Sequence, residues 1–355
     1  MDLVFDHDTL GQRVLFGSGK AAENLAAEVA RRRARAVMLI ASEAEMQIAA
    51  SVSSDIEIAL TYHDVAPHVP LEKAEKARAA AAEAGIDLLV CVGGGSTTGL
   101  AKAIAMTSRL PIIAVPTTYA GSEATNVWGL TEASRKTTGV DDAVLPRTVI
   151  YDVELTYSLP AELSVASGLN ALAHCIDSMW APRADPINQA LAAEGIRALS
   201  HGLPLIKVDP RNRRGREQAL YGAYLSAVAF ASAGSGLHHK ICHVLGGAYN
   251  MPHAETHAVV LTYVLALNAP AAPEAATRIA AAFGSETAVE GLSSLREKLD
   301  APRALKDYGL AETDLPEAGR LILPVVPPLN PTPVTQENLQ QLLHAAWAGT
   351  EPGNI

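Results

Sequence analysis

The period of the apolar positions changes about midway along the chain. Up to about residue 160, short unbroken runs of β-branched and aliphatic residues alternate with Ala-rich stretches of helical spacing. Residues 36–41, 87–92 and 111–115 read as strands, and 20–33 and 71–84 as helices. Strands that are apolar at every position are buried on both faces, the pattern of a parallel sheet covered by helices. Beyond Pro160 the strand signals fade. Ala- and Leu-rich helical spacing takes over, interrupted at Pro182, Pro186, Pro252 and in the Pro/Asn cluster of 324–333. The longest uncharged stretch, 221–239, reads as one buried helix, because Ser232, Gly234, Ser235 and Gly236 break an apolar run that a membrane span would sustain for about 20 residues. The expected architecture is an α/β domain with a parallel sheet over 1–160 and an all-α domain over 161–355, with an enzyme's active site in the cleft between them.

Composition narrows the classes. With 355 residues, 49% of them hydrophobic and 19% charged, the chain can bury a large core, which excludes disorder. Lys and Arg number 28 against 38 Asp and Glu, and a net charge of -10 argues against a nucleic-acid surface, which needs clustered cations. An anionic ligand must therefore be captured by a local positive site. Cys91, Cys175 and Cys242 are odd in number and lack framework spacing, as reduced thiols do. The N-terminal MDLVFDHDTL carries acids where a secretory signal carries Lys or Arg. A cytoplasmic protein without membrane contact is expected.

Directly after the strand ending at Val92 stand Gly93, Gly94, Gly95, Ser96, Thr97, Thr98 and Gly99, followed by a helical run from Leu100. A strand, a glycine turn and a helix start place free backbone N–H groups and the positive end of a helix dipole where a pyrophosphate can sit. The spacing departs from the dinucleotide fingerprint G-x-G-x-x-G, since Thr98 stands in place of the third glycine. A second polar turn, with Thr117, Thr118, Gly121, Ser122 and Glu123, follows the next strand. Two hydroxyl-rich turns at the carboxyl ends of successive parallel strands suit a nucleotide. After the strand at 36–41, where an acid often binds the ribose 2′-hydroxyl, the chain has Ser42, which leaves NAD and NADP both open.

Five of the eleven histidines fall close together: His238, His239, His243, His253 and His257. Asn170 and His174 are spaced i, i+4, as are His239 and His243, so each pair shares a helix face. A turn over 246–252 would aim His253 at the same point. Asn170, His174, His239 and His253 could then converge as ligands of a divalent metal, leaving His243 as acid or base. His257, like His7, His63, His201 and His344, reads as an ordinary structural histidine. Imidazoles suit Zn or Fe(II), but catalytic sites usually add a carboxylate, and Asn170 offers a neutral carbonyl. A weak or absent metal site is implied.

At these residues the chain resembles the iron-containing (group III) alcohol dehydrogenase superfamily and, within it, the maleylacetate reductases. The superfamily pattern G-G-G-S-x-x-D-x-A-K is met by Gly93, Gly94, Gly95, Ser96, Ala101 and Lys102, with Gly99 for the acid. Thr117, Thr118 and Ser122 match its second nucleotide motif and Lys136 its cofactor-proximal lysine. The metal-dependent motif D-A-x-x-H becomes Asn170 to His174, while His239 and His253 take the other ligand positions and His243 the catalytic one. Gly99, Asn170 and the doubled His238 and His239 are similar to maleylacetate reductases.

The resemblance implies an N-terminal Rossmann-like domain, an all-helical C-terminal domain of the dehydroquinate synthase-like type, and a homodimer. It implies reduction of the dicarboxylate 2-maleylacetate to 3-oxoadipate with NADH or NADPH, in aromatic catabolism and without a catalytic metal. His239 and His243 would then stabilise the enolate with His253 and His174 in support, and His238 and Lys240 would offer positive charge to a substrate carboxylate. The alternative is a metal-dependent alcohol or polyol dehydrogenase using Asn170 as an unusual ligand of Fe or Zn.

Overall fold

The computed structural model describes residues 4–132 and 135–352, which fall into two compact units. The first, Leu10–Leu159, is built on a parallel sheet. Its elements are β1 (Arg13–Phe16), α1 (Ala21–Arg32), β2 (Val37–Ile40), α2 (Met46–Val52), β3 (Leu60–Tyr62), α3 (Leu71–Glu83), β4 (Leu88–Gly93), α4 (Gly95–Ser108) and β5 (Ile112–Pro116). A hairpin of β6 (Val127–Glu132) and β7 (Arg135–Val140) and the strand β8 (Thr148–Tyr151) complete it. The sheet order is β1-β8-β5-β4-β2-β3, with every pairing parallel.

The unbroken apolar strands are buried on both faces for the expected reason. Met38, Ile40, Leu89 and Cys91 pack with Ala74, Ala77, Leu100 and Ile104 of α3 and α4. Their neighbours Val37, Leu39, Leu88 and Val90 pack on the opposite face with Leu25, Ala49 and Val52 of α1 and α2. Successive residues of a strand point to opposite faces, so each residue of β2 and β4 serves one of two cores.

One buried charge holds α1 to the sheet. Glu28, 2% exposed, accepts hydrogen bonds from Arg31 Nε at 3.0 Å and Thr148 Oγ1 at 2.7 Å, with Arg32 3.4 Å away. The Arg31 contact, aided by Thr148 and against the cost of burial, holds the Glu28 carboxyl down at about 2. A depressed folded pKa means stability that is full above the ordinary carboxyl range near 4.5 and is lost as pH falls through about 2. The contribution is at most about 3 kcal/mol, less because Arg31 is half exposed and screened. Glu28→Gln should therefore lower stability at neutral pH and flatten its decline between pH 4.5 and 2, read by denaturant unfolding at each pH. An identical decline in both proteins would remove Glu28 from the account.

The second unit, from Pro160 on, is helical among its described residues: α5 (Ala161–Ser178), α6 (Pro186–Val208), α7 (Arg213–Ala233), α8 (Leu237–Tyr249), α9 (His253–Asn268), α10 (Pro273–Phe283), α11 (Ala288–Leu299), α12 (Leu315–Ile322) and α13 (Gln336–Ala348). It also takes in the start of the chain, where His7 Nδ1 meets Asp185 Oδ2 at 2.8 Å. Leu237, Ile241 and Leu245 of α8 pack with Val260 and Val264 of α9 and with Leu339 and Leu342 of α13.

The expected single helix over 221–239 is two helices. Gly234, at φ +86, ends α7 in a conformation that L side chains rarely adopt, and α8 starts afresh at Leu237. No helix among the described residues is long and apolar enough to cross a membrane.

Candidate active site

In the first unit the glycine turn stands where strand and helix meet. Gly93 closes β4 at φ +152, and a Cβ there would lie 2.5 Å from Glu45 Oε2 and 2.6 Å from Thr97 Oγ1. Helix α4 starts two residues on. Its N-cap, Gly94, makes no side-chain capping bond, so the first-turn amides and the positive dipole end are left for an anion. The Thr117 N–H, just past β5, bonds to the Gly93 carbonyl at 3.2 Å, which brings the two polar turns together. A Cβ on Gly94 would touch Thr118 Cγ2 at 3.1 Å. The glycines thus keep open a cradle that side chains would fill, and the turn fits a pyrophosphate.

Gly94, Gly95, Ser96, Thr117, Thr118 and Ser42 lie at the carboxyl ends of β2, β4 and β5, and Ser122 opens the short turn after Gly121. The direction of strand addition reverses between β2 and β4, so these ends form the crevice in which open parallel sheets bind ligands. Lys136 falls on β7, and its side chain lies outside the described residues. Lys102 serves the fold: its Nζ is buried and donates to the Thr125 and Val127 carbonyls at 2.8 and 2.7 Å, and burial lowers its pKa to about 7.

Sequence reasoning missed Glu45. Its carboxylate accepts from Ser42 Oγ at 2.8 Å, Thr117 Oγ1 at 2.7 Å and Thr97 Oγ1 at 3.4 Å. The available signal was a hydroxyl followed three residues later by an acid after a strand.

In the second unit three helices bring the imidazoles together. Helix α5 carries Asn170, His174 and Asp177, α8 carries His238, His239 and His243, and α9 begins at His253 and carries His257. The reversal between α8 and α9 is shorter than expected. Residues 246–249 are helical, and Asn250, at φ +52, with Met251 and Pro252 makes the whole turn. The His174 and His239 rings stack at 4.8 Å, with Phe230 of α7 against both at 4.7 and 4.4 Å. His239 lies 5.0 Å from His257 and 6.0 Å from His243 by ring centroids, and His253 lies 4.3 Å from His257 and 6.5 Å from His243.

At the centre is a carboxylate–imidazole pair. His239 Nδ1 meets Asp177 Oδ2 at 2.7 Å, and both side chains are buried. The same oxygen accepts the Gly236 N–H at 2.8 Å, so Asp177 reaches across from α5 and caps the N-terminus of α8. A Cβ on Gly236 would collide with Asp177 Oδ1, so that close approach requires glycine. Burial pushes Asp177 up to about 7, against the pull of the backbone N–H groups of Gly236, His239 and His238. Burial and the neighbouring imidazoles hold His239 well below its usual value. The neutral ring gives Nδ1–H to Asp177 and presents Nε2, buried and with no partner among the described residues. Asp177 was overlooked, although it stands seven residues after Asn170 on the same helix face.

His238 does not fill the role expected of it, whereas His257 is a buried structural histidine as expected. His238 Nε2 meets His257 Nδ1 at 2.9 Å, with Cys242 Sγ 3.7 Å from the same nitrogen. Both rings are buried, and desolvation takes His238 down to about 3. It cannot carry positive charge to a substrate carboxylate. His257 is the bonding partner of His238 and touches His239 and His253. His243 and His253 are exposed. His174 is held down to about 3 by desolvation and then by His253, and Asn170 Oδ1 is buried with no partner among the described residues.

The four ligands expected from the sequence include no carboxylate or thiolate. Asn170, His174, His239 and His253 provide one amide and three imidazoles. Among the described residues, the His/Cys/Asp/Glu trio whose ligand atoms lie within 4.8 Å of one another is His238, Cys242 and His257, a different set. The cluster's carboxylate, Asp177, is committed to His239 and to the start of α8.

Residues 11–153 match the family model of the iron-containing alcohol dehydrogenases, and 164–347 match that of the Fe-containing alcohol dehydrogenase family, C-terminal. The maleylacetate reductase of Sphingobium indicum is 43% identical over 352 residues, 99% of each chain. An iron-containing alcohol dehydrogenase structure from Corynebacterium glutamicum is 64% identical, with a TM-score of 0.98 and 99% of each chain covered. The maleylacetate reductase structure from Agrobacterium tumefaciens is 37% identical, with a TM-score of 0.94, covering 99% of this chain and 100% of that one.

Proposed function

Because this chain belongs to the iron-containing alcohol dehydrogenase family, in which full-length relatives are maleylacetate reductases, we propose that it reduces the carbon–carbon double bond of 2-maleylacetate to 3-oxoadipate in aromatic catabolism. The observation that carries this reading is the 43% identity to a maleylacetate reductase over 99% of both chains. The histidine cluster supports it, since its donors suit a polarised oxygen better than a metal.

NADH or NADPH, when bound, supplies the hydride. The amides after Gly94 hold its pyrophosphate, and Ser42, Ser96, Thr117, Thr118, Ser122 and Lys136 hold its remaining polar groups. Hydride addition at one alkene carbon moves negative charge onto the conjugated ketone oxygen, where a positioned donor must meet it before the adjacent carbon takes up a proton and the ketone is restored. Such a donor contributes about 3–4 kcal/mol to a transition state.

His239 is that donor. With Asp177 poised at about 7, the pair takes up one proton near neutrality and Nε2 becomes an N–H, at no net charge for the buried pair. His243, exposed and 6.0 Å from His239 by ring centroids, resupplies the proton from solvent. His174, His253 and the Asn170 amide complete the polar wall. No metal takes part in this reading. The chain works as a homodimer in the cytoplasm, where its three buried cysteines stay reduced.

The test is NADH and NADPH oxidation with maleylacetate, simple aldehydes and polyol ketones, before and after dialysis against a strong chelator. Maleylacetate turnover should survive chelation. Complete loss that Fe or Zn restores, together with turnover of alcohols or polyol ketones, would establish the metal-dependent dehydrogenase instead.

A further inference from the structure

Glu45 stands where a choice between the two nicotinamide cofactors would be made. In open parallel sheets the ribose of a bound dinucleotide lies beyond the second strand, where an acid accepts its hydroxyls and a cation accommodates a 2′-phosphate. Ser42 follows β2 directly and carries no charge. The chain then turns back through 43–45, and the Glu45 carboxylate reaches the ends of three strands at once, taking hydrogen bonds from Ser42, Thr97 and Thr117. Its partners are all hydroxyls. None of the ion pairs among the described residues involves Glu45, so no Lys or Arg is committed to its carboxylate. Gly93 is kept without a side chain beside it, and a Cβ there would lie 2.5 Å from Oε2.

Resting on the nicotinamide reading above, we infer that Glu45 makes the protein prefer NADH, by accepting ribose hydroxyls and repelling a 2′-phosphate. Ser42, Thr97 and Thr117 aim the carboxylate, and the same three hydroxyls are free to turn to a sugar hydroxyl when one enters. A 2′-phosphate brings about two further negative charges toward the Glu45 carboxylate, which no guanidinium pairs with among the described residues.

Calorimetric or fluorescence titration of the full chain with NADH and with NADPH tests this without any turnover. The wild type should bind NADH at least about tenfold more tightly. Glu45→Gln keeps the shape and removes the charge, and should bring the two affinities within about threefold of each other. Glu45→Asp keeps the charge but withdraws it, and should fall between. Equal binding of both cofactors by the wild type overturns the assignment even if neither variant folds, as does an unaltered ratio in folded Glu45→Gln. Binding of neither cofactor overturns the nucleotide reading and this assignment with it.

Discussion

Asp177→Asn is expected to lower kcat with maleylacetate by about 10²-fold or more. The substitution is nearly isosteric, so the collision-free fit against Gly236 is preserved, but the amide oxygen holds the proton on Nδ1, leaves Nε2 with only its lone pair, and the amide cannot take up the proton that turns Nε2 into a donor. It also removes the one group whose pKa of about 7 lets the pair take up a proton near neutrality. In the wild type, kcat should decline as pH rises above about 7, because the pair then loses the proton that His239 Nε2 donates. The variant should lack that decline. Steady-state kinetics from pH 6 to 9, with unfolding curves to show that α8 keeps its place, read both effects. A kcat within about threefold of wild type, with the same pH profile, would take Asp177 out of the mechanism.

His243→Ala should cost about 10² in kcat with little change in stability. The ring is exposed, so its removal leaves no buried cavity and no unpaired buried charge. What is lost is the group that carries protons between water and the buried pair, stacked with His253 at 19° between ring planes. Added imidazole should restore part of the turnover, which a purely structural role would not allow. Near-wild-type kinetics would show that water reaches His239 directly.

Much of the architecture was legible because it depends on neighbours in the chain. The unbroken apolar runs at 87–92 and 111–115 became β4 and β5, and the glycine turn after Val92 became the uncapped start of α4. The hairpin of β6 and β7 carried little signal, since its partly exposed strands mix Thr, Gly and Lys with a few apolar residues. The break inside 221–239 was visible as Gly234 and Gly236, but reading the stretch as one helix ignored a glycine conformation that stops α7. Helical spacing put Asn170 with His174 and His239 with His243, and an expected turn brought His253 toward them. Asp177 and Glu45 were not found, because each acts on a residue that is distant in sequence: Asp177 on His239, 62 residues on, and Glu45 on Thr117, 72 residues on.

The sequence by itself determined where the chemistry-bearing groups stand on their own elements: glycines at a strand end, imidazoles on three helices, and an amide where a metal site would want an anion. The tertiary structure alone decided what state those groups are in. A histidine's charge depends on how much water it has lost and which partners burial leaves it. His238 becomes a neutral hydrogen-bond partner of His257, His239 becomes an imidazole fixed by Asp177, and His243 stays in water. Spacing along a chain places a side chain on a face. Desolvation and contacts across the fold set its proton, and with it what the side chain can do.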